Sequence, residues 1–138
     1  MERITKAILL LIMTILFSCE EKGLITDCND CTPDEPLTAI LEADIDADYG
    51  KGVIIMVWEG RLEDNLLLDS LKIMTSSYQR KVNINQTYTL TATYIVNDKK
   101  YTAVDSATPR VRYTTDYCEE PCYYVYDLKL NLRLKYTK

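Results

Sequence analysis

The alternation in the last third of the chain limits the fold most. From Tyr124 to Tyr136 every second residue is apolar or aromatic: Tyr124, Tyr126, Leu128, Leu130, Leu132, Leu134 and Tyr136. From Tyr126 onward Asp127, Lys129, Asn131, Arg133 and Lys135 stand between them. A period of two puts the first set on one face of a strand and the charged set on the other, whereas a helix would scatter both. Thr87 to Val96 repeats the pattern, with Tyr88, Leu90, Ala92, Tyr94 and Val96 on one face and threonines with Ile95 on the other. A single strand as long as 124–136 must bend or pair with more than one neighbour.

The rest of the chain from Leu37 follows suit, with β-branched residues and tyrosines and no helical period. Leu37–Asp46 alternates Ala39, Leu41, Ala43 and Ile45 with Glu42, Asp44 and Asp46, as a strand with an acidic outer face does. Tyr49-Gly50-Lys51-Gly52 turns the chain, and Val53–Trp58, apolar at every position, reads as a central strand. Leu66–Met74 is a third strand, although a helical turn also fits. Residues 75–81 read as polar loop, followed by a short strand over Val82-Asn83-Ile84. Asn97-Asp98-Lys99-Lys100 is a hairpin turn into Tyr101–Val104, and Arg110–Thr115 alternates Val111 and Tyr113 with Arg110, Arg112 and Thr114. About seven or eight short strands in one domain, residues 37–138, predict an all-β antiparallel sandwich.

Val57-Trp58, followed by Tyr88-Thr89-Leu90-Thr91-Ala92, resembles the tryptophan and tyrosine strands of fibronectin type III modules, within the wider immunoglobulin-like class. About 40 residues follow the tyrosine strand, where such a module would soon end.

The start of the chain carries an address. Arg3 and Lys6 precede a run, Ala7 to Phe17, that is apolar except for Thr14 and too short to span a bilayer. The run ends in Leu16-Phe17-Ser18-Cys19, followed by Glu20-Glu21-Lys22. This resembles the lipobox of bacterial lipoproteins, with Phe17 where a small or β-branched residue is usual. The acidic pair resembles the surface-export signals of Bacteroidota. The resemblance implies a signal peptide over 1–18, acyl chains on Cys19 inserted in the membrane, and an outer-membrane, cell-surface location, with the periplasmic face as the alternative. The whole chain is similar to small sandwich lipoproteins of Bacteroidales of uncharacterised function. Residues 19–36, with Gly23, Pro33, Pro36 and many acids, read as a solvated tether.

Four cysteines remain for the exported part: Cys28, Cys31, Cys118 and Cys122. Their CxxC-like spacing suits a tetrahedral thiolate zinc site, but thiols beyond the inner membrane are usually oxidised, which makes two disulfides the reading. Counting strands up and down puts the loop of Cys118 and Cys122 at the pole where the first strand begins. Crossed pairing to Cys28 and Cys31 is therefore favoured over local pairing.

Chemistry is mainly excluded. The chain has no histidine, so the commonest general base and metal ligand is missing. Its mature serines, Ser70, Ser76, Ser77 and Ser106, have no nucleophile-elbow context. No enzyme activity and no cofactor are expected, and the absence of a basic stripe argues against nucleic acid. Asp44-Ile45-Asp46-Ala47-Asp48-Tyr49-Gly50 resembles a calcium loop, but the glycine is one place late and Ile55 stands where a bidentate glutamate belongs. Asp44, Asp46 and Asp48 are therefore read as a solvated face. Tyr117 and Tyr123 flank the cysteine loop beside Glu119 and Glu120, a candidate binding rim for a glycan or protein. Asp69-Ser70-Leu71 and Asp105-Ser106-Ala107 resemble O-glycosylation sites of exported Bacteroidota proteins, with Ser70 and Ser106 as acceptors. The expectation is a lipid-anchored, non-enzymatic envelope binding module. The alternative is an accessory subunit of an outer-membrane complex, docking through a strand edge.

Overall fold

The computed structural model describes residues 28–46, 51–116 and 118–134. They form nine strands: β1 (Thr38–Asp44), β2 (Val53–Glu59), β3 (Leu66–Ile73), β4 (Ser77–Asn83), β5 (Tyr88–Val96), β6 (Lys99–Ala107), β7 (Arg110–Thr114), β8 (Cys122–Tyr126) and β9 (Lys129–Asn131). One sheet runs β4-β1-β9, a second runs β3-β2-β5-β6, and β7 and β8 make a separate hairpin. The first two sheets face each other across a core that includes Leu41, Ala43, Ile55, Val57, Leu90, Ala92, Tyr94, Leu130 and Leu132. The all-β sandwich expected from the alternation is therefore the fold, with nine strands where seven or eight were counted.

The strand order is that of an immunoglobulin-type Greek key. β4 and β1 stand as strands E and B, and β3-β2-β5-β6 stand as C′-C-F-G. The edge beside β1 is filled from the other end of the chain by β9, which runs parallel to β1 with Ala43 opposite Leu130. At the β4–β5 corner the Tyr88 hydroxyl accepts the Asn83 N–H at 3.1 Å, the arrangement of a tyrosine corner. Trp58 does not share in this. It lies on the outer face of β2, opposite Thr89, while Val53, Ile55 and Val57 point inward. The fibronectin-like tryptophan expected from sequence is thus not a core residue.

Turns fall where the side chain permits a left-handed backbone. Among the described residues, the non-glycine ones with positive φ are Asn65, Asn85, Asn97, Asp98 and Asp127, residue types that tolerate that region. Asn97 (φ 49°) and Asp98 (φ 60°) form the two-residue turn between β5 and β6.

Asp127 (φ 60°) corrects the reading of 124–136 as one strand. It breaks the run, so β8 pairs with β7 and β9 pairs with β1. Asp127 holds the break by accepting the Thr108 N–H at 2.7 Å. The inward phase survives it: Tyr124, Leu130 and Leu132 are buried, and Leu128 and Leu134 are half-buried. Tyr136 lies outside the described residues.

A second correction concerns 75–81, read as loop, most of which belongs to β4. Its inward positions are Tyr78, Arg80 and Val82, so a charged residue interrupts the apolar phase. Arg80 is held there by Asp69 of β3, across the open side of the sandwich. The Tyr78 hydroxyl, accepting from Arg80 Nη1 at 3.4 Å, and the Asp69 carboxylate raise the guanidinium pKa above its ordinary value, outweighing partial burial.

Candidate binding surfaces

Both open sides of the sandwich are closed by the same dipeptide. Asp69 sits on edge strand β3 and Asp105 on edge strand β6. Each uses Oδ1 to accept the N–H of the serine that follows, at 2.8 Å for Ser70 and 2.9 Å for Ser106. Each then reaches to the opposite sheet with Oδ2. Asp69 Oδ2 takes the Arg80 guanidinium, and Asp105 Oδ2 takes the Asn131 N–H at 2.8 Å. Inward acids on edge strands hinder pairing with another chain. Ser70 and Ser106 are exposed, and Ser106 Oγ shares a hydrogen bond with Thr89 Oγ1 at 3.0 Å. The aspartate of each repeated Asp-Ser pair therefore has a role inside the fold, whatever happens at the serine.

The hairpin β7–β8 contributes no residue to the sandwich core. A two-stranded ribbon is marginal alone in water, and this one is stapled. Cys28 is bonded to Cys118 and Cys31 to Cys122, with Cα separations of 5.8 and 5.6 Å. The crossed pairing favoured from sequence is the one present. Between the staples the chain makes a short 3-10 turn, Cys28–Asp30. Thr32 then pairs with Tyr123, exchanging N–H···O bonds of 2.9 and 2.8 Å. Part of the segment read from composition as tether, Cys28 to Thr32, thus belongs to the folded unit.

Of the predicted rim, Glu119 and Glu120 are exposed and line an open concavity of about 550 Å³ with the four cysteines, Pro33 and Pro121. Tyr123 is half-buried and packs against Tyr113, ring centroids 4.9 Å apart. Tyr117 lies outside the described residues, as does Cys19. Tyr113 was missed. It is 52% exposed because the ribbon buries its other face, that of Thr114, Cys122 and Tyr124. On the opposite face Arg112 lies over the Tyr126 ring, 5.8 Å from its centroid.

Asp44 and Asp46 have partners within the fold rather than a shared ion-like geometry. Asp44 pairs with Arg133 at 3.6 Å, and Asp46 Oδ2 accepts the Leu134 N–H at 2.8 Å. Asp46 is therefore not on a solvated strand face as read from sequence. Asp48 lies outside the described residues. Among the described residues, the one group of three potential metal-ligating atoms is Cys31, Cys118 and Cys122. No described helix is long and apolar enough to cross a membrane.

A second surface is the outer face of β3-β2-β5-β6. The registers set Trp58 beside Thr89, Met56 beside Thr91 and Ile54 beside Thr93, with Val104 beyond Thr91. Ile54, Ile95 and Val104 are exposed there, along with Leu67 and Leu68 at the edge. The loop after β2 folds back over one end of this face, where Thr89 Oγ1 donates to the Gly60 carbonyl at 2.7 Å. Trp58 Nε1 is enclosed without a hydrogen-bond partner.

No family model, no curated protein and no solved structure matches the chain.

Proposed function

We infer that the chain is a non-enzymatic binding module of the cell envelope, held to the membrane through acyl chains on Cys19. In this reading it recognises a glycan with the stapled hairpin. The observation that carries the reading is the construction of β7–β8. The ribbon places no residue in the sandwich core cluster, yet two disulfides and the Thr32–Tyr123 pairing fix its shape. Rigid loops on a stable scaffold are where binding residues concentrate. The exposed Tyr113 ring offers an apolar face for a sugar ring, and the exposed Glu119 and Glu120 carboxylates offer acceptors for its hydroxyls.

Nine residue steps separate Cys19 from Cys28, so an anchor at Cys19 would hold the clamp within about 30 Å of the bilayer surface. Ser70 and Ser106, both exposed on edge strands, are proposed O-glycan acceptors. The second reading, an accessory subunit of a membrane complex, draws on the apolar outer face of the four-stranded sheet. Docking by strand addition is less suited to the edges β3 and β6, where Asp69 and Asp105 point inward.

Two measurements test the proposal. Fatty-acid labelling of the protein should be lost in Cys19→Ser, and retained labelling would remove the anchor. Binding to a panel of envelope and host polysaccharides should be present in the parent chain and lost in Tyr113→Ala. A partner that instead co-purifies through Met56 and Val104 would favour the accessory-subunit reading.

A further inference from the structure

We propose that the four cysteines of the clamp become a thiolate zinc site when their disulfides are reduced. The sulfur atoms of Cys31, Cys118 and Cys122 all lie within 4.8 Å of one another, and the Cys28 sulfur is bonded to that of Cys118. Four thiolates at about 2.3 Å from zinc stand roughly 3.8 Å apart in a tetrahedron. In the oxidised clamp a bonded sulfur pair stands about 2 Å apart and the other separations among these three stay below 4.8 Å, so each bonded pair has to open by about 2 Å on reduction to reach the spacing that the ion requires. The arms also have the right form. Cys28-Asn29-Asp30-Cys31 and Cys118-Glu119-Glu120-Pro121-Cys122 each place two cysteines of one loop at a spacing that grips a single tetrahedral ion.

Contacts besides the sulfur–sulfur bonds also oppose the arms. Thr32 and Tyr123 exchange two backbone hydrogen bonds, and β7 pairs with β8 from Arg110–Tyr126 to Thr114–Cys122. The site is open to an ion, because the concavity lined by the cysteines also carries the exposed Glu119 and Glu120. Those carboxylates draw cations in, while the softness of sulfur selects zinc over magnesium or calcium.

The chemistry balances simply. Two disulfides take four electrons from two phosphine molecules, while two waters supply the four protons of the four thiols formed and the oxygens of two phosphine oxides; a thiol reductant supplies both electrons and protons and leaves as its own disulfide. Zinc then displaces four protons as four Zn–S bonds form, and no further electron moves. The N-terminal segment is thereby held on the hairpin in both redox states, by sulfur–sulfur bonds or by the ion.

The test uses the full chain with Cys19→Ser, so that the four clamp cysteines are the only thiols among the five cysteines of the sequence. The protein is reduced with a phosphine under argon and titrated with Co²⁺ and then Zn²⁺, with circular dichroism recorded in parallel. The expected result is one ion per chain, the visible bands of tetrahedral cobalt thiolate, and their loss when zinc displaces cobalt. The oxidised chain should give no such bands. Adding Cys31→Ser and Cys122→Ser should weaken binding at least a hundredfold, whereas Glu119→Gln with Glu120→Gln should leave the stoichiometry at one. The proposal is overturned if the reduced parent binds no stoichiometric ion or gives an octahedral cobalt spectrum. It also falls if the reduced parent loses its strands and zinc does not restore them.

Discussion

The two staples should contribute to stability in a strongly non-additive way. Cys28–Cys118 and Cys31–Cys122 span 90 and 91 residues. In the chain-entropy account, closing a loop of that size limits the unfolded ensemble by about 4.6 kcal/mol at 25 °C. The second staple, however, does not close a second long loop. With the first in place it closes a ring through 28–31 and 118–122 of nine residues, which contributes about 2.6 kcal/mol. Replacing either pair by serine should therefore cost about 2.6 kcal/mol, since the surviving pair still closes the long loop. Replacing both should cost about 7 kcal/mol, roughly 2 kcal/mol more than the sum of the two single-pair losses. A loss of that size consumes much of the 5–15 kcal/mol of a typical domain, so the fourfold variant should be partly unfolded at 37 °C. The assay is urea unfolding at matched m-value, followed by circular dichroism and by fluorescence of Trp58. Two pairs that each cost about 4.6 kcal/mol and sum to the fourfold loss would refute the reasoning, because they would then be closing independent loops.

Three substitutions probe the sandwich itself. Leu132→Ala empties a position with 0% exposure and should lower unfolding free energy by about 2–5 kcal/mol in urea titration. Tyr94→Phe removes a hydroxyl that donates to the Leu132 carbonyl at 2.6 Å and accepts the Asp46 N–H at 3.2 Å. It should cost about 1–3 kcal/mol, chiefly from the carbonyl left buried and unpaired, as read by the shift in urea midpoint. Asp105→Ala frees the N–H groups of Ser106 and Asn131. It should cost about 1 kcal/mol and give concentration-dependent association in light scattering as the edge opens.

Much of the fold was legible because its strands alternate cleanly. The inward residues of 88–96, Tyr88, Leu90, Ala92 and Tyr94, are all buried, although Thr89 and Thr91 of the other face are buried as well. The pattern was legible in 124–134 as well, but the break within it was not. An aspartate in a left-handed conformation leaves a period of two intact on both sides while redirecting the chain to a new neighbour. β4 was missed because an edge strand can hold an arginine inward when an acid on the facing strand meets it, and nothing local to 77–83 signals Asp69. β9 beside β1 is a parallel, long-range pairing that no local pattern specifies.

At the candidate site, crossed disulfides could be reasoned from which pole each cysteine pair occupies. Tyr113 could not be, because the alternation of 110–115 does not tell which face of the ribbon is buried, and it is the face of Thr114, Cys122 and Tyr124. The Asp-Ser pairs drew attention through their serines, whereas the fold uses their aspartates.

Under the proposed function the stapled hairpin is the element that recognises a ligand. Binding of a polysaccharide panel to the parent chain, to Tyr113→Ala and to the Glu119→Gln, Glu120→Gln variant tests this most directly, with thermal unfolding of all three measured alongside. The expected result is a glycan whose affinity falls at least tenfold in Tyr113→Ala and also falls in the double variant, at unchanged melting temperature. A glycan bound equally well by all three proteins, or no binding anywhere on the panel, would contradict it.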